Sequence, residues 1–292
     1  MNILTFDIEE WYVEKTFGKG RSDRYQQFDE TLAKVLDELD NLGIKATFFC
    51  VGQLAVGFPE VIKRITAKGH EIGCHSNVHT WLDKMTPEEL RTDTTEALKA
   101  LEDVSGQKVV SYRAPAFSIT PKNKWALPVL AECGIKNDAS IFPTNRDFGG
   151  YKGFPLDTPC IISYEGVTLK EFPISLTSIM GKKIAYSGGG YFRSLPYWFV
   201  SRIMNHRDYN ICYFHLSDMI HRKYKMLSRK DYENYFKESG TFKNRLVRYV
   251  KSSAGRGDVY GKLVKLLSNE TFVNIGMAEN AIDWGKMNII KL

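Results

Sequence analysis

Apolar residues in the first half of the chain switch repeatedly between strand-like and helix-like spacing. The run ILTFDI (residues 3–8) predicts a buried strand, and apolar residues from Phe28 to Leu42 then recur at helical spacing before Gly43. The run KATFFCVG repeats the strand signal, and PEVIKRITAKG repeats the helix signal between a proline and a glycine. The pattern therefore predicts consecutive β-α units.

The alternation continues as far as residue 142. Further strand candidates are HEIGCH, VVSYRAP and IKNDASIF, and the helix candidates are TPEELRTDTTEALKALEDVSG, with a capping box at Thr86 and Glu89, and TPKNKWALPVLAECG. Beyond Pro143 the sequence predicts strands at GVTLKEFPI and NICYFHLSDM, with a glycine turn and a helix at SGGGYFRSLPYWFVSRIMNH. Repeated units of this kind favour an α/β fold with parallel strands and outer helices.

The composition is typical of one large globular domain. The chain has 292 residues, of which 43% are hydrophobic and 25% charged, and these values exclude the disordered and fibrous classes. No stretch approaches the roughly 18 apolar residues of a transmembrane helix, and MNILTFDIEEW lacks the features of a secretory signal. Five separated cysteines without a C-x-x-C pair indicate free thiols in a reducing compartment. We therefore expect a cytoplasmic protein.

The net charge of +6 is concentrated near the C-terminus. Residues 221–262 hold twelve Lys/Arg against four Asp/Glu, which excludes a uniformly basic nucleic-acid-binding protein. We expect residues 1–220 to form the main domain and residues 221–292 a helical extension packed on it. The basic segment has two interpretations: it is a solvated helical face, or it docks the protein on an anionic membrane.

Polar and ionisable residues stand where the predicted strands end. Because the carboxyl ends of parallel strands line the functional mouth of α/β sheets and barrels, these groups are expected to meet in one place. They are Asp7, Glu9 and Glu10; His75 and His79; Arg113; Asp138 and Ser140; and His215 and Asp218.

His75 and His79 of the motif CHSNVH have two interpretations. They bind a metal, or they are polar side chains of a turn. A carboxylate from another strand end would complete a two-histidine, one-carboxylate site suited to water activation. In a strand, Asp7 and Glu9 share a face, so that one can ligate the metal while the other acts as a base. Glu10 is alternatively a helix cap.

Arg113 and His215 each follow an apolar strand and have a structural and a functional interpretation. Arg113 is a surface arginine, or it lies near Asp7 and favours the ionised carboxylate. His215 is a hydrogen-bonded core histidine, or it is the general acid for a leaving amine near neutral pH.

Five motifs together resemble, in kind and order, those of the polysaccharide deacetylase family, the NodB-homology carbohydrate esterases. They are TFDIEEW, HSNVH, RAPAF, DASIFP and YFHLSD, and the resemblance spans about residues 3–220. The opening motif, GGGYFR and ENAIDW are further similar to a subgroup found with bacterial exopolysaccharide and cell-surface glycan loci. The resemblance implies a distorted (β/α) barrel, with fewer strands than the eight-stranded form, over residues 1–220.

The resemblance also implies hydrolysis of an N-acetyl group by metal-activated water. It assigns the catalytic base to Asp7 and the positioning of that base to Arg113. It assigns the general acid to His215, and the orientation or tuning of this acid to Asp138.

The same resemblance makes His75 and His79 metal ligands. The family pattern has two adjacent aspartates in its first motif, and Ile8 stands in the second place here. The third ligand must then be Glu9 or Glu10, and strand alternation favours Glu9. The implied ion is a divalent metal, with zinc expected and Fe, Co, Ni or Mn as alternatives.

The resulting hypothesis is an enzyme that removes N-acetyl groups from an N-acetyl-hexosamine-containing glycan or its lipid-linked precursor. One alternative keeps the fold and the metal but hydrolyses a cyclic imide or ureide. The other is a catalytically silent glycan-binding protein. If the basic segment 221–262 docks on lipid, we expect the protein at the cytoplasmic membrane surface.

Overall fold

The protein is described by a computed structural model that covers residues 1–146, 149–220, 225–236, 238–255 and 257–292. Its strands are β1 Asn2–Ile8, β2 Thr47–Cys50, β3 Glu71–Cys74, β4 Ser111–Tyr112, β5 Asn137–Asp138, β6 Cys160–Tyr164, β7 Val167–Glu171, β8 Leu176–Ile179, β9 Lys182–Ala185, β10 Asn210–His215, β11 Phe272–Val273 and β12 Ile289–Lys291.

The helices lie between and after these strands. They are α1 Glu10–Phe17, α2 Ser22–Asn41, α3 Gly52–Gly57, α4 Pro59–Ala67, α5 Pro87–Ser105, α6 Ala126–Glu132, α7 Gly189–Ser194, α8 Tyr197–Asn205, α9 Leu216–Met219, α10 Arg229–Phe236, α11 Phe242–Ser253, α12 Val259–Asn269 and α13 Ile275–Ala281. Short 3-10 helices occupy Leu82–Lys84, Pro115–Phe117 and Trp284–Lys286.

The large sheet confirms the α/β class that the β-α alternation predicts. Its strand order in the described residues is β10-β1-β2-β3-β4-β5-β7-β6-β12, parallel from β10 to β7, while β6 runs antiparallel to β7. The sheet curves back toward β10, because Ser175 Oγ accepts a hydrogen bond from the N–H of Ile211 (3.0 Å) and the carbonyl of Ser187 accepts one from Tyr213 (3.3 Å). The result is a distorted barrel.

The apolar residues and the capping box that predict the outer helices also make the contacts that stabilise these helices. On α2, Phe28, Leu32 and Leu39 turn toward the sheet and are buried. At the start of α5, Thr86 Oγ1 accepts a hydrogen bond from the N–H of Glu89, and the Glu89 carboxylate accepts one from the N–H of Thr86. The predicted helix and its capping box are confirmed, and together these helices cover the outside of the sheet.

The C-terminal region differs from the predicted helical extension. Residues 221–224, 237 and 256 of that region lie outside the described residues, and the remainder does contain helices α10 to α13. However, β11 pairs with the start of β1, and β12 pairs with β6. The predicted helices are thus accompanied by two strands that the sequence does not predict, because strands of two or three residues are too short to give a periodic pattern.

All five cysteines are free, and four of them are buried. Among the described residues, no helix combines the length and the apolar character needed to cross a membrane.

Candidate metal centre and active site

The predicted site residues come from strand ends that the parallel register brings to one level. Asp7 lies opposite His215 of β10 in the ladder. His75 directly follows β3, where its N–H donates to the Cys50 carbonyl (2.9 Å), and Arg113 directly follows β4, where its N–H donates to the Cys74 carbonyl (2.9 Å). Because parallel strands present their carboxyl ends on the same side, these side chains share one mouth.

Glu9, His75 and His79 form a group suited to a divalent metal. One ligand atom from each lies within 4.8 Å of the others, and His79 Nε2 contacts a Glu9 carboxylate oxygen. His75 Nδ1 donates to the Arg113 carbonyl (2.7 Å), which leaves Nε2 free to ligate. Two imidazoles and one carboxylate are a donor set that zinc and related ions accept, so the residues present fit the implied metal.

Two of these side chains are held in the protonation state that metal binding requires. Burial lowers the pKa of His75 to about 4, so that its imidazole is neutral at neutral pH. Burial alone would raise the pKa of Glu9, but the neighbouring His79, His215 and His75 lower it well below its usual range. A neutral imidazole and an ionised carboxylate are the forms that bind a metal.

Asp93 of α5 stabilises the turn between His75 and His79 through two hydrogen bonds. Ser76 and His79 have positive φ angles of 66° and 58°, which non-glycine residues seldom adopt. The buried carboxylate of Asp93 accepts hydrogen bonds from the N–H of Asn77 (2.9 Å) and from Ser76 Oγ (3.2 Å). Sequence analysis did not single out Asp93, although it occupies a buried position of α5, one helical turn after Leu90, where an acidic residue is unusual.

Asp7 and Arg113 form a buried ion pair beside the metal ligands. Arg113 Nη1 lies 2.7 Å from Asp7 Oδ1, and the two side chains are 0% and 3% exposed. The same nitrogen donates to Thr5 Oγ1 (2.8 Å), and Arg113 Nε donates to the Ala139 carbonyl (3.1 Å). Burial would raise the pKa of Asp7, but the positive charge of Arg113 lowers it, so this carboxylate is ionised.

Asp218 positions His215 at the other side of the mouth. His215 Nδ1 lies 3.6 Å from Asp218 Oδ2, which also accepts the backbone N–H of His215 (3.0 Å). Burial opposes protonation, but Asp218, Glu9 and Asp7 together raise the pKa of His215 to about 10. Arg193 Nη1 lies 3.2 Å from Asp218 Oδ1 and helps to fix it. The imidazole is therefore protonated near neutral pH.

Asp138, which the resemblance assigns to orienting or tuning His215, has no direct contact with that histidine in the part of the chain that the structure describes. Among the described residues, no hydrogen bond or ion pair joins the two. Instead Asp138 Oδ1 accepts a hydrogen bond from Ser140 Oγ, and its carboxyl group meets that of Glu171. Burial raises the pKa of both carboxyl groups, and holds that of Glu171 well above its usual range. The described contacts of Asp138 are therefore with Ser140 and Glu171, whereas Asp218 of the HLSD turn contacts His215.

Glu10 has a capping contact and lies outside the metal group. Its Oε1 accepts the N–H of Ser217 (2.8 Å) in the first turn of α9. Burial raises the pKa of Glu10 to about 7. Of the two carboxylates that the sequence left open, Glu9 is the one grouped with the histidines, and Glu10 caps a helix that begins more than 200 residues later.

Replacing Asp218 by asparagine is expected to shift the pH dependence of turnover. Loss of its charge lowers the pKa of His215, so the protonated acid disappears at lower pH. The alkaline limb of the kcat/KM profile should move down by about one unit or more. Asp138→Asn is the matched control and should leave this limb in place. A shift caused by Asp138→Asn and not by Asp218→Asn would contradict the assigned pairing.

Comparison with known families identifies the first half of the chain. The family model described as polysaccharide deacetylase matches residues 3–137. Residues 3–137 are thus similar to the polysaccharide deacetylases. A second model, a domain of unknown function (DUF3473), matches residues 139–278. The metal group, Asp7 and Arg113 lie in the region that matches the polysaccharide deacetylase model, whereas His215 and Asp218 lie in the second matched region.

Curated relatives of the chain carry names related to this family model. The chain is 36% identical over 130 residues to a peptidoglycan-N-acetylglucosamine deacetylase of Bacillus cereus, covering 44% of each protein. It is 29% identical over 135 residues to a chitooligosaccharide deacetylase of Bradyrhizobium, covering 44% of this chain and 59% of that protein. The chain thus spans about half the length of these curated relatives.

A solved structure shares the fold over the whole chain. A crystal structure of a Mycobacterium smegmatis protein assigned to the polysaccharide deacetylases aligns with a TM-score of 0.64 and 18% identity. The alignment covers 100% of this chain and 92% of that one. The deacetylase-type barrel predicted from the five motifs is confirmed.

Proposed function

We propose that the protein is a metal-dependent hydrolase that removes N-acetyl groups from an N-acetyl-hexosamine-containing glycan. The observation that carries this proposal is the juxtaposition of Glu9, His75 and His79 with an ionised Asp7 and a protonated His215. Hydrolysis of an amide needs an activated water, a base and an acid, and the cluster offers all three functions.

The residues divide the proton transfers between them. A divalent metal held by Glu9, His75 and His79 would supply Lewis-acid activation of water and of the acetamide carbonyl. Asp7, kept ionised and oriented by Arg113, accepts the proton of the attacking water. His215, held by Asp218, donates a proton to the departing amine nitrogen, which cannot leave readily as an anion. Base and acid face each other across the β1–β10 pair.

The names of the curated relatives support the proposed substrate class. The names of two relatives specify peptidoglycan N-acetylglucosamine and chitooligosaccharides, and both substrates contain N-acetyl-hexosamine. We propose such a glycan, or its lipid-linked precursor, with zinc as the expected ion. The five free cysteines favour a reducing compartment, so we place the reaction at the cytoplasmic side.

Acetate release from defined substrates tests the proposed function. The zinc-loaded protein is incubated with an N-acetylated chito-oligosaccharide and, separately, with a cyclic ureide. Acetate from the sugar and an unchanged ureide are expected. Ring opening of the ureide alone would assign the site to cyclic amides. Glycan binding without acetate release, in a protein shown to contain metal, would identify a silent binding protein.

A further inference from the structure

Helix α11 is amphipathic, and its apolar face points away from the rest of the protein. It lies wholly within the described residues, and none of its side chains is buried. Phe242, Leu246 and Val250, which share one face at helical spacing, are 62%, 41% and 55% exposed. Tyr249 and Val247 border this face and are also exposed. A surface helix normally buries such a face against the core. The apolar face of α11 is instead exposed, so it can bind another apolar phase.

The polar face of α11 makes the contacts with the rest of the protein. Arg248 stacks on the Phe236 ring at 4.0 Å. Asn244 Nδ2 donates to the Ser239 carbonyl (2.9 Å), and Arg245 Nη1 donates to the Leu227 carbonyl (3.0 Å). These interactions fix the helix with its apolar face outward.

The neighbouring helix α10 places this surface beside the active-site mouth. Tyr235 of α10 makes an edge contact with Phe17, at 5.2 Å between ring centroids, and Phe17 ends the helix that begins directly after Glu9. The carbonyl of Phe236 accepts a hydrogen bond from Lys84 Nζ (3.1 Å), five residues after His79. Both segments that lead away from the metal group therefore contact α10.

The charge on α11 indicates what covers its apolar face. The helix carries Lys243, Arg245, Arg248 and Lys251 and no acidic residue, and Lys243 and Lys251 are exposed. Basic residues beside an exposed apolar face are typical of helices that lie in the interface of an anionic bilayer. A helix of 12 residues is about 18 Å long, too short to supply by itself the roughly 800 Å² per partner of a stable protein interface.

We propose that α11 inserts the face formed by Phe242, Leu246 and Val250 into an anionic lipid membrane. The sequence predicts membrane contact through the charge of residues 221–262, whereas the structure assigns the contact to one apolar face flanked by lysines. Docking through α11 would bring α10, which contacts the segments that follow Glu9 and His79, to the lipid surface. The proposal stands independently of deacetylation, because binding to lipid requires no turnover.

Flotation with vesicles tests this docking. Wild-type protein is expected to bind vesicles of phosphatidylcholine and phosphatidylglycerol more strongly than vesicles of phosphatidylcholine alone. Part of this binding should persist at high salt, which screens the lysines but not the apolar insertion. The triple variant Phe242→Ser, Leu246→Ser, Val250→Ser should lose about tenfold or more in partitioning. Lys243→Glu with Lys251→Glu should abolish the preference for anionic lipid.

A matched triple variant provides the control. Val56→Ser, Met180→Ser and Trp198→Ser also remove exposed apolar side chains, outside α11, and should bind vesicles as the wild type does. Thermal unfolding should agree among all variants because none of these side chains is buried. Equal vesicle binding by both triple variants, or none by the wild type, would overturn the proposal. A dimer lost only in the α11 variant, without lipid binding, would assign the face to a second copy.

Discussion

Replacing Asp7 by asparagine is expected to lower kcat about a thousandfold, since general base catalysis typically contributes between a hundredfold and ten-thousandfold. Asparagine keeps the shape of the side chain but cannot accept the proton of the attacking water. The change should also lower the free energy of unfolding by about 3 kcal/mol, because Arg113 is fully buried and loses its counter-charge. Acetate release and urea unfolding measure the two effects separately.

A second variant separates the catalytic from the structural effect. Asp7→Asn combined with Arg113→Met removes both charges and should recover much of the lost stability while kcat remains low. The pH dependence gives a further check. The folded-state pKa of Asp7 is lowered, so the ion pair stabilises the fold above about pH 4 and this contribution disappears as the pH falls further. A near-normal kcat in Asp7→Asn would contradict the assigned base.

Replacing Glu9 by glutamine is expected to lower zinc affinity by about a hundredfold or more, beyond the 10–100-fold typical of altered outer-shell partners. The change removes the anionic member of the ligand group and leaves His75 and His79 in place. Competition with a chelator, followed by measurement of bound zinc, determines the affinity. Acetate release should fall in parallel as the metal is removed.

Glu10→Gln is the matched control for this prediction. Its amide oxygen can still accept the N–H of Ser217, so the contact with α9 is preserved, and Glu10 lies outside the ligand group. We expect near-normal zinc affinity in this variant. Loss of zinc from Glu10→Gln with retention by Glu9→Gln would reverse the assignment of the third ligand.

The sequence predicts best what depends on neighbouring residues along the chain. The β-α alternation, the capping box at Thr86 and the strand-end positions of Asp7, His75 and Arg113 all follow from local periodicity. Since parallel strands end at one edge, the strand ends also predict that these groups meet. The place of Glu9 is less predictable, because this residue lies beyond the end of β1, where strand alternation no longer applies.

The remaining features depend on contacts that the sequence does not encode locally. Asp138 stands at a strand end like the other candidates, but only the three-dimensional arrangement shows that it meets Glu171 and not His215. The partner of His215 is Asp218, three residues away in the same turn. Strands β11 and β12 are too short for a pattern, and their pairing depends on chain segments more than a hundred residues distant.

The position of β1 in the sheet has a consequence for the order in which the protein folds. This strand precedes all the other described elements along the chain, yet two of its partners are β10, which ends at His215, and β11, which ends at Val273. Pairings across such long loops are slow to form. The strand that leads to Asp7 and Glu9 can pair early with β2, but its remaining pairings are complete only after residue 273 has been synthesised. Until then one edge of this apolar strand is a segment that chaperones would have to shield.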